Sequence, residues 1–535
     1  MKRKLLNQTV KKNYLIRSFF FLFILLILWQ GIEKTLEKPR NGDWQNNDFS
    51  NVYKKNCQFD TILLGTSMVI ANISNEELYS NYGFTTVSFG EPEQPLYLSY
   101  YMLEEALKYQ QPKVVILDVQ SMFYSLEKIK RNLNDKEYYY LHYSLDQMKN
   151  GDTKFKALDA ARELKPSINI FDYFFPMYYS HANWEDINRE NFSSSEETVQ
   201  NGDMLLTNIY QYKENELQDI TKVSENYEQR ELIPQSNLNY FNKIVGLCKN
   251  KDIDLLLVRS SFSGESRWSW GQYNAINDLA EDNNLAYIDV NTEMKKVGLD
   301  VLLDMGDSVH FNVAGMKKWT DYIGKYISKK YNTNGIKDKK NINSYQRKEN
   351  FDDKLKCVQE KKSFLQCRTF DEYLVTLLNY KKDGYAIGIV VSDDASSKMT
   401  EYECSMLQKL GLKIRLLDQY RSSYVGLIED GNVIEEALAQ NGIEKEGNFN
   451  NLDSYKLSSG GYDSNINASI KINSIEFCQG KRGINIVVYD KKNKEAISSV
   501  FFDTYLSENP HPGIVKADAI YEMIDVNEWK AIVAD

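Results

Sequence analysis

Four histidines occur in the 535-residue chain, His142, His181, His310 and His511, and one of them follows an aspartate at a spacing of three. A serine attacks a carbonyl at neutral pH only with a base beside it, most often histidine, so the candidates are few. His310 lies in DMGDSVHFNVAG (304–315), with Asp307 one turn earlier. From there Asp307 can orient the imidazole through one ring nitrogen while the other faces a nucleophile, and it stabilises the imidazolium that forms. The matching serine is Ser67, in GTSMV, directly after the apolar run TILLG (61–65). Ligands of open α/β sheets bind at the carboxyl ends of strands. A serine at a strand-to-helix turn also lies among backbone N–H groups that favour a developing oxyanion. Taken singly, each motif is weak, because Gly-x-Ser reads equally well as a helix N-cap and Asp-x-x-His recurs by chance. Together, at opposite ends of one expected domain, they predict a nucleophile, base and acid in Ser67, His310 and Asp307.

The elements that must position these residues alternate. TILLG (61–65), KVVILDV (113–119), DLLLVRS (254–260) and AYIDV (286–290) are short Val/Ile/Leu-rich runs of the kind found in buried parallel strands. Helical spacing separates them at 95–109, where Leu96, Tyr100, Leu103 and Leu107 share a stripe, at 235–250 and at 273–282, and a closing helix is expected over 316–329. This alternation predicts an α/β fold, a doubly wound parallel sheet over residues 58–330. Residues 125–230 break the rhythm. They are Tyr-rich, include FDYFFPMYYSHANW (171–184), and read as an insertion or lid. A polar linker at 331–350 leads to a second, smaller α/β domain at 351–535, with strands at 386–392, 468–473 and 484–490 and a helix at 398–410.

The motifs GTS (65–67) and DSVH (307–310) resemble the first and last blocks of the SGNH (GDSL-like) hydrolases. The run SNYGFTTVSFGEPEQPLYLSYYMLEEALKYQQPKVVILDV is similar to the membrane-anchored branch associated with acylation of cell-surface polysaccharides, which includes the alginate acetylation proteins and, more distantly, the D-alanyl-lipoteichoic acid transfer protein. That resemblance implies a serine esterase or O-acyltransferase, with the N–H groups of Ser67 and Gly90 building an oxyanion hole. The wider family carries an Asn donor in its third block, where this chain offers Asp118. His181, in the insertion, is implied to line the substrate cleft. Residues 351–535 resemble the interleukin-like EMT inducer (GG) domain. SSGGYDSNINASIKIN (458–473), RGINIVVYD (482–490) and FFDTY (501–505) match its first half, and RTFDEY (368–373), GYAIGIVVSDDAS (384–396) and RSSYVGLI (421–428) match its second. The halves stand in reversed order, a circular permutation, and the resemblance implies a glycan-binding accessory role.

The N-terminus predicts a location. FFFLFILLILW (19–29) is unbroken and apolar, and residues 14–32 are long enough to cross a ~30 Å hydrocarbon core. Lys2, Arg3, Lys4, Lys11, Lys12 and Arg17 precede it with no acid before Glu33. The positive-inside rule then predicts a basic cytoplasmic tail (1–13), a single-pass anchor (14–32), a polar stalk (33–57) and an exported body. A cleaved signal peptide is the alternative, but QGIEKTLEKP lacks a small-x-small cleavage site.

Composition narrows the partners. Hydrophobic residues at 42% and charged residues at 26% describe a globular chain with room for a sizeable core. A net charge of −10 opposes non-specific nucleic-acid binding. No phosphate loop, dinucleotide glycine pattern or metal-ligand spacing occurs, so no cofactor or metal is expected. Six cysteines are present, and the four after residue 350 could form two disulfides in an oxidising compartment. The 37 Tyr fill cores or stack on sugars. Two functions follow as expectations. One is acyl transfer or ester hydrolysis on a cell-surface glycan, with a multispanning membrane acyltransferase as partner. The other is a catalytically silent glycan-binding or scaffold protein of a polysaccharide export or modification complex.

Overall fold

Five short runs pair side by side as parallel strands in a computed structural model of the chain, which describes residues 14, 16–25, 27–29, 31–32, 49–54, 57–131, 133, 138–146, 148–175, 203–212, 228–260, 269–331 and 342–505. They are β1 (Thr61–Gly65), β2 (Thr86–Gly90), β3 (Val114–Asp118), β4 (Asp254–Arg259) and β5 (Ala286–Asp289), in the order β2-β1-β3-β4-β5. The chain runs outward from β1 to β2, then crosses back to β3. The order therefore reverses between β1 and β3, which is where doubly wound sheets open a ligand crevice at their carboxyl ends. Every residue of β1, β2 and β3 is buried, as a parallel sheet covered on both faces requires. Ile62, Leu64, Val115, Leu117, Leu255 and Leu257 join one core cluster with Leu103, Phe241 and Ile244 from the helices Leu96–Ala106 and Gln235–Asn250. The alternate residues Leu63, Ile116 and Leu256, also buried, point to the opposite face.

The first four helices after β3 take up part of the expected insertion: Leu126–Arg131, Tyr138–Leu145, Asp152–Leu164 and Ile170–Phe174. His142 is buried there. Its Nδ1 lies 2.9 Å from Asp146 Oδ2, and its ring stacks on Tyr173 at 4.0 Å. Residues 176–202, and His181 with them, lie outside the described residues.

The second sheet has nine strands, and its order runs β12-β11-β10-β6-β13-β14 with β7, β8 and β9 attached. They are β6 (Tyr385–Asp393), β7 (Ser423–Glu429), β8 (Asn432–Ala439), β9 (Ile443–Asn448), β10 (Ser454–Gly461), β11 (Ser469–Ile472), β12 (Ile475–Glu476), β13 (Gly483–Asp490) and β14 (Glu495–Phe502). β6 is antiparallel to β7 and β13 and parallel to β10, so the sheet is mixed. This sheet is mixed where the first is parallel, and it has nine strands against five. Several of its strands expose one face, as in the exposed and half-exposed residues of NVIEEALA (β8), and such strands lack the continuous apolar run that marks a fully buried one. The helices Phe370–Leu378 and Glu401–Lys409 cover one side, the latter closed by a capping box in which Thr400 and Glu403 bond each other's backbone N–H. The helix Ile342–Leu365 begins within the expected linker and covers its last nine residues. Among its residues whose burial is described, the buried ones are Phe351, Cys357, Val358 and Phe364.

By packing, residues 1–204, 224–291 and 319–348 form one compact unit, and residues 205–223, 292–318 and 349–535 form another. The parallel sheet belongs to the first and the mixed sheet to the second.

One expectation is overturned. Among the described residues no helix is long and apolar enough to cross a membrane. Residues 16–25 and 27–29 are helical, but the strictly apolar stretch of about 11 residues rises only ~16 Å, roughly half of a hydrocarbon core. The single-pass anchor over 14–32, and the cytoplasmic tail and exported body deduced from it, are therefore withdrawn. The cysteines are also unbridged. All six are free thiols, with Cys248, Cys357, Cys367 and Cys404 buried.

Candidate active site

Ser67 opens the helix Ser67–Asn72 immediately beyond β1. The capping duty open to a serine here falls to Thr66, whose hydroxyl accepts the Met68 N–H at 3.3 Å. From Thr61 to Leu78, Ser67 is the one residue that is not buried. Gly65 lies level with Gly90 across the β1–β2 ladder, and both are pressed against their surroundings. A Cβ on Gly90 would stand 2.3 Å from Val69 Cγ2 and 2.7 Å from the Thr66 carbonyl, and one on Gly65 would stand 2.8 Å from Asp118 Cβ. Glycine at these two strand ends lets the β2 backbone and the third strand close on the serine turn.

Asp118 ends β3 with no exposure. Its Oδ1 accepts the Gln120 N–H at 3.0 Å and its Oδ2 the Ser260 N–H at 3.1 Å. Burial pushes its carboxyl up to about 6, against the pull of those two N–H groups and of the Arg259 charge. These bonds tie the carboxyl ends of β3 and β4 together. Ser260 continues the network, its carbonyl accepting from Asn72 Nδ2 at 2.7 Å and its hydroxyl from the Trp319 indole at 3.0 Å. Sequence reading missed two further charges on this edge. Arg259 and Asp289 are both buried and stand level across β4 and β5. Asp289 accepts from Tyr287 Oη at 2.9 Å and from Asn291 at 2.7 Å. An ionisable pair at the ends of two adjacent apolar strands was the available signal.

The acid and the imidazole sit in a closed turn. Met305 and Phe311 bridge its two arms, and the Gly306 N–H donates to the His310 carbonyl at 2.8 Å. Inside it Asp307 Oδ1 accepts the N–H groups of Val309 and His310 at 2.8 and 2.7 Å, and Oδ2 lies 2.8 Å from His310 Nδ1. Burial alone would raise the Asp307 carboxyl, but the His310 hydrogen bond and charge, with the two N–H groups, outweigh it and hold it below the usual carboxylate range. An ionised carboxylate can only accept, so Nδ1 carries the hydrogen and Nε2 the basic lone pair. Asn312 ends the turn and starts the helix Val313–Lys330, its Oδ1 accepting from Ala314 and Gly315 at 3.0 and 3.1 Å.

The structure thus brings Asp307 onto His310 within the second unit, and sets Ser67, Gly90 and Asp118 along one sheet edge in the first. Among the described residues no group of His, Cys, Asp or Glu is arranged to hold a metal ion. Compared with protein-family models and with curated proteins, the chain matches none.

Proposed function

We propose that the chain is a serine-dependent acyl-transfer enzyme, an esterase or O-acyltransferase acting on a hydroxyl of a polysaccharide or other glycan. Ser67 Oγ attacks the ester carbonyl as its proton passes to His310 Nε2. The tetrahedral oxyanion is received by backbone N–H groups at Ser67 and Gly90, and the leaving alcohol departs with the proton from the imidazolium. An acceptor hydroxyl, deprotonated by His310, then takes the acyl group. Water in that place makes the same machinery an esterase. Asp307 holds the ring and stabilises its cation throughout. The observation that carries the reading is the Asp307 carboxylate, which accepts three hydrogen bonds, two from backbone and one from the imidazole, and so fixes the tautomer a general base needs. The opening of an otherwise buried run at Ser67 supports it.

A glycan acceptor is supported by an aromatic surface on the second unit. Tyr420 and Tyr462 are 54% and 56% exposed, and the Arg421 guanidinium lies 3.7 Å from the Tyr462 ring centre. Ring faces of this kind stack on sugars. A multispanning membrane acyltransferase is the proposed source of the acyl group.

A second reading, a catalytically silent glycan-binding scaffold, is favoured by Asp118. Where the third block needs a donor, this carboxyl accepts two backbone hydrogen bonds, and the loss of one oxyanion donor costs about 10²–10³ in rate. A fluorophosphonate probe separates the two. Catalysis predicts modification at Ser67 that disappears in Ser67→Ala and falls by at least ~10³-fold in His310→Ala. Folded protein that takes no label would leave the scaffold reading.

A further inference from the structure

We propose that Lys362 is a positioning residue for the Asp307–His310 pair, acting through Asp304. The inference rests on the reading of that pair as the acid–base machinery. Both arms of its turn converge on Asp304, whose side chain is 1% exposed. The Asp304 carbonyl accepts the Asn312 N–H at 2.8 Å, tying the residue before the turn to the one after it. Its Oδ2 accepts the Asp300 N–H and the Lys318 ammonium, each at 2.7 Å. Its Oδ1 accepts the Lys362 ammonium at 2.5 Å. Lys318 lies a few residues beyond the turn, whereas Lys362 comes from the helix Ile342–Leu365. Lys362 is also the more enclosed of the two, 16% exposed against 37%. Removing Lys362 leaves Oδ1 of this enclosed carboxylate without its cation while Lys318 still holds Oδ2, so Asp304 must turn toward Lys318 or find water, and the turn shifts with it.

A parallel strap makes the same connection from the adjacent lysine. The backbone of residues 205–210 lies along the turn, with the Val313 N–H donating to the Leu206 carbonyl and the Tyr210 N–H to the Met305 carbonyl, both at 2.9 Å. A Cβ on Gly306 would stand 2.7 Å from Leu206 Cβ, so that contact is tight. The strap is fastened in turn by Lys361, which donates to the Thr207 carbonyl at 3.1 Å and to Glu495 Oε2 at 2.9 Å, while the Thr207 hydroxyl donates to the same oxygen at 3.0 Å. Consecutive lysines of one helix thus reach the base and the flank of the turn that carries the dyad. All these residues belong to one compact unit. The C-terminal third of the chain is on this view part of the frame of the turn that carries Asp307 and His310 rather than an appended binding module.

The test uses the full chain carrying Lys362→Met or Lys362→Arg, with two readouts. The first is the rate of fluorophosphonate labelling at Ser67. The second is the low-field proton signal of His310 Nδ1–H, assigned by its absence in His310→Gln, which reports the Asp307 contact without any catalytic event. Lys362→Met is expected to label at least ~10-fold more slowly, since small misplacements of a base cost that much or more, and to broaden or lose the His310 signal. Lys362→Arg, which keeps charge and reach, is expected to restore both. Native rate and native signal in Lys362→Met would overturn the proposal. So would unfolding of both variants, because Lys362 would then support the fold at large. If the native protein takes no label, the catalytic reading falls, and the His310 signal alone decides the positioning role.

Discussion

At the scale of single residues, the buried carboxyl of Asp118 carries the most direct consequence. Its value in the fold, about 6, lies above the ~3.9 of an unfolded chain. An acid raised in this way binds its proton more readily folded than unfolded, so it detracts from stability above pH ~6 and ceases to do so as the pH falls toward ~4. The native chain should therefore gain on the order of 2–3 kcal/mol from this one group between pH 7 and pH 4, offset by other groups that titrate there. Asp118→Asn keeps the shape, cannot titrate, and loses one of the two backbone hydrogen bonds. Urea unfolding of both proteins at pH 7 and pH 4.5 measures the difference. The native curve should improve relative to the variant on acidification, and identical pH dependence would mean that the Asp118 carboxyl titrates in the fold as it does in the unfolded chain. The same residue shows how local chemistry misleads a sequence reading. Its place at the end of an apolar strand is plain in KVVILDV, but its bond to Ser260 N is made across 142 positions, and no local pattern announces it. Asp307 and His310 were legible because the acid, the ring and both bonded N–H groups lie within four residues.

At the scale of elements, strands buried on both faces were readable and strands with one open face were not. β1, β3, β4 and β5 are continuous apolar runs that the structure reproduces to within a residue or two. β2 escaped because TVSFG mixes small polar residues into a fully buried strand, and a buried hydroxyl such as Ser88, bonded to Asn75 at 2.9 Å, looks like surface in a sequence. β9, IEKEGN, alternates between half-exposed and exposed after its first residue, so its pairing with β10 rests on backbone hydrogen bonds that side-chain types do not disclose. The helix Ile342–Leu365 begins inside the polar stretch read as a linker, since a helix can form over such a stretch when its apolar residues lie further along. The junction of β2 with the serine turn gives this scale its prediction. Gly90→Ala would drive a methyl into Val69 and the Thr66 carbonyl, and overpacking of this kind costs about 1–3 kcal/mol. Lowered stability in urea together with slower probe labelling at Ser67 is expected. A variant of native stability and native labelling would show that the turn has slack the structure does not suggest.

At the scale of the whole molecule, cohesion comes from packing without covalent staples. The two largest clusters, one around Leu64, Leu117 and Phe241 and one around Tyr373, Ile387 and Ile486, contain cysteines as small apolar residues, Cys248 in the first and Cys357, Cys367 and Cys404 in the second. Burial pushes the Cys248 thiol up to about 12, which suppresses the reactive thiolate. Two observations should follow. A thiol reagent should count six groups on the unfolded chain without prior reduction. A reductant should also leave the unfolding midpoint in place, whereas breaking a native disulfide typically costs ~2–5 kcal/mol and would move it visibly. Fewer than six groups would mean that the chain is bridged.

The strap through Thr207, Lys361 and Glu495 has a consequence in time as well as in space. Thr207 and Glu495 are 288 positions apart, so a ribosome must add that many residues after Thr207 before the carboxylate that secures this segment exists. Contacts of such long separation form late and slowly. A growing chain therefore carries the turn of Asp307 and His310 for well over a hundred residues of synthesis before its flanking strap can be fastened.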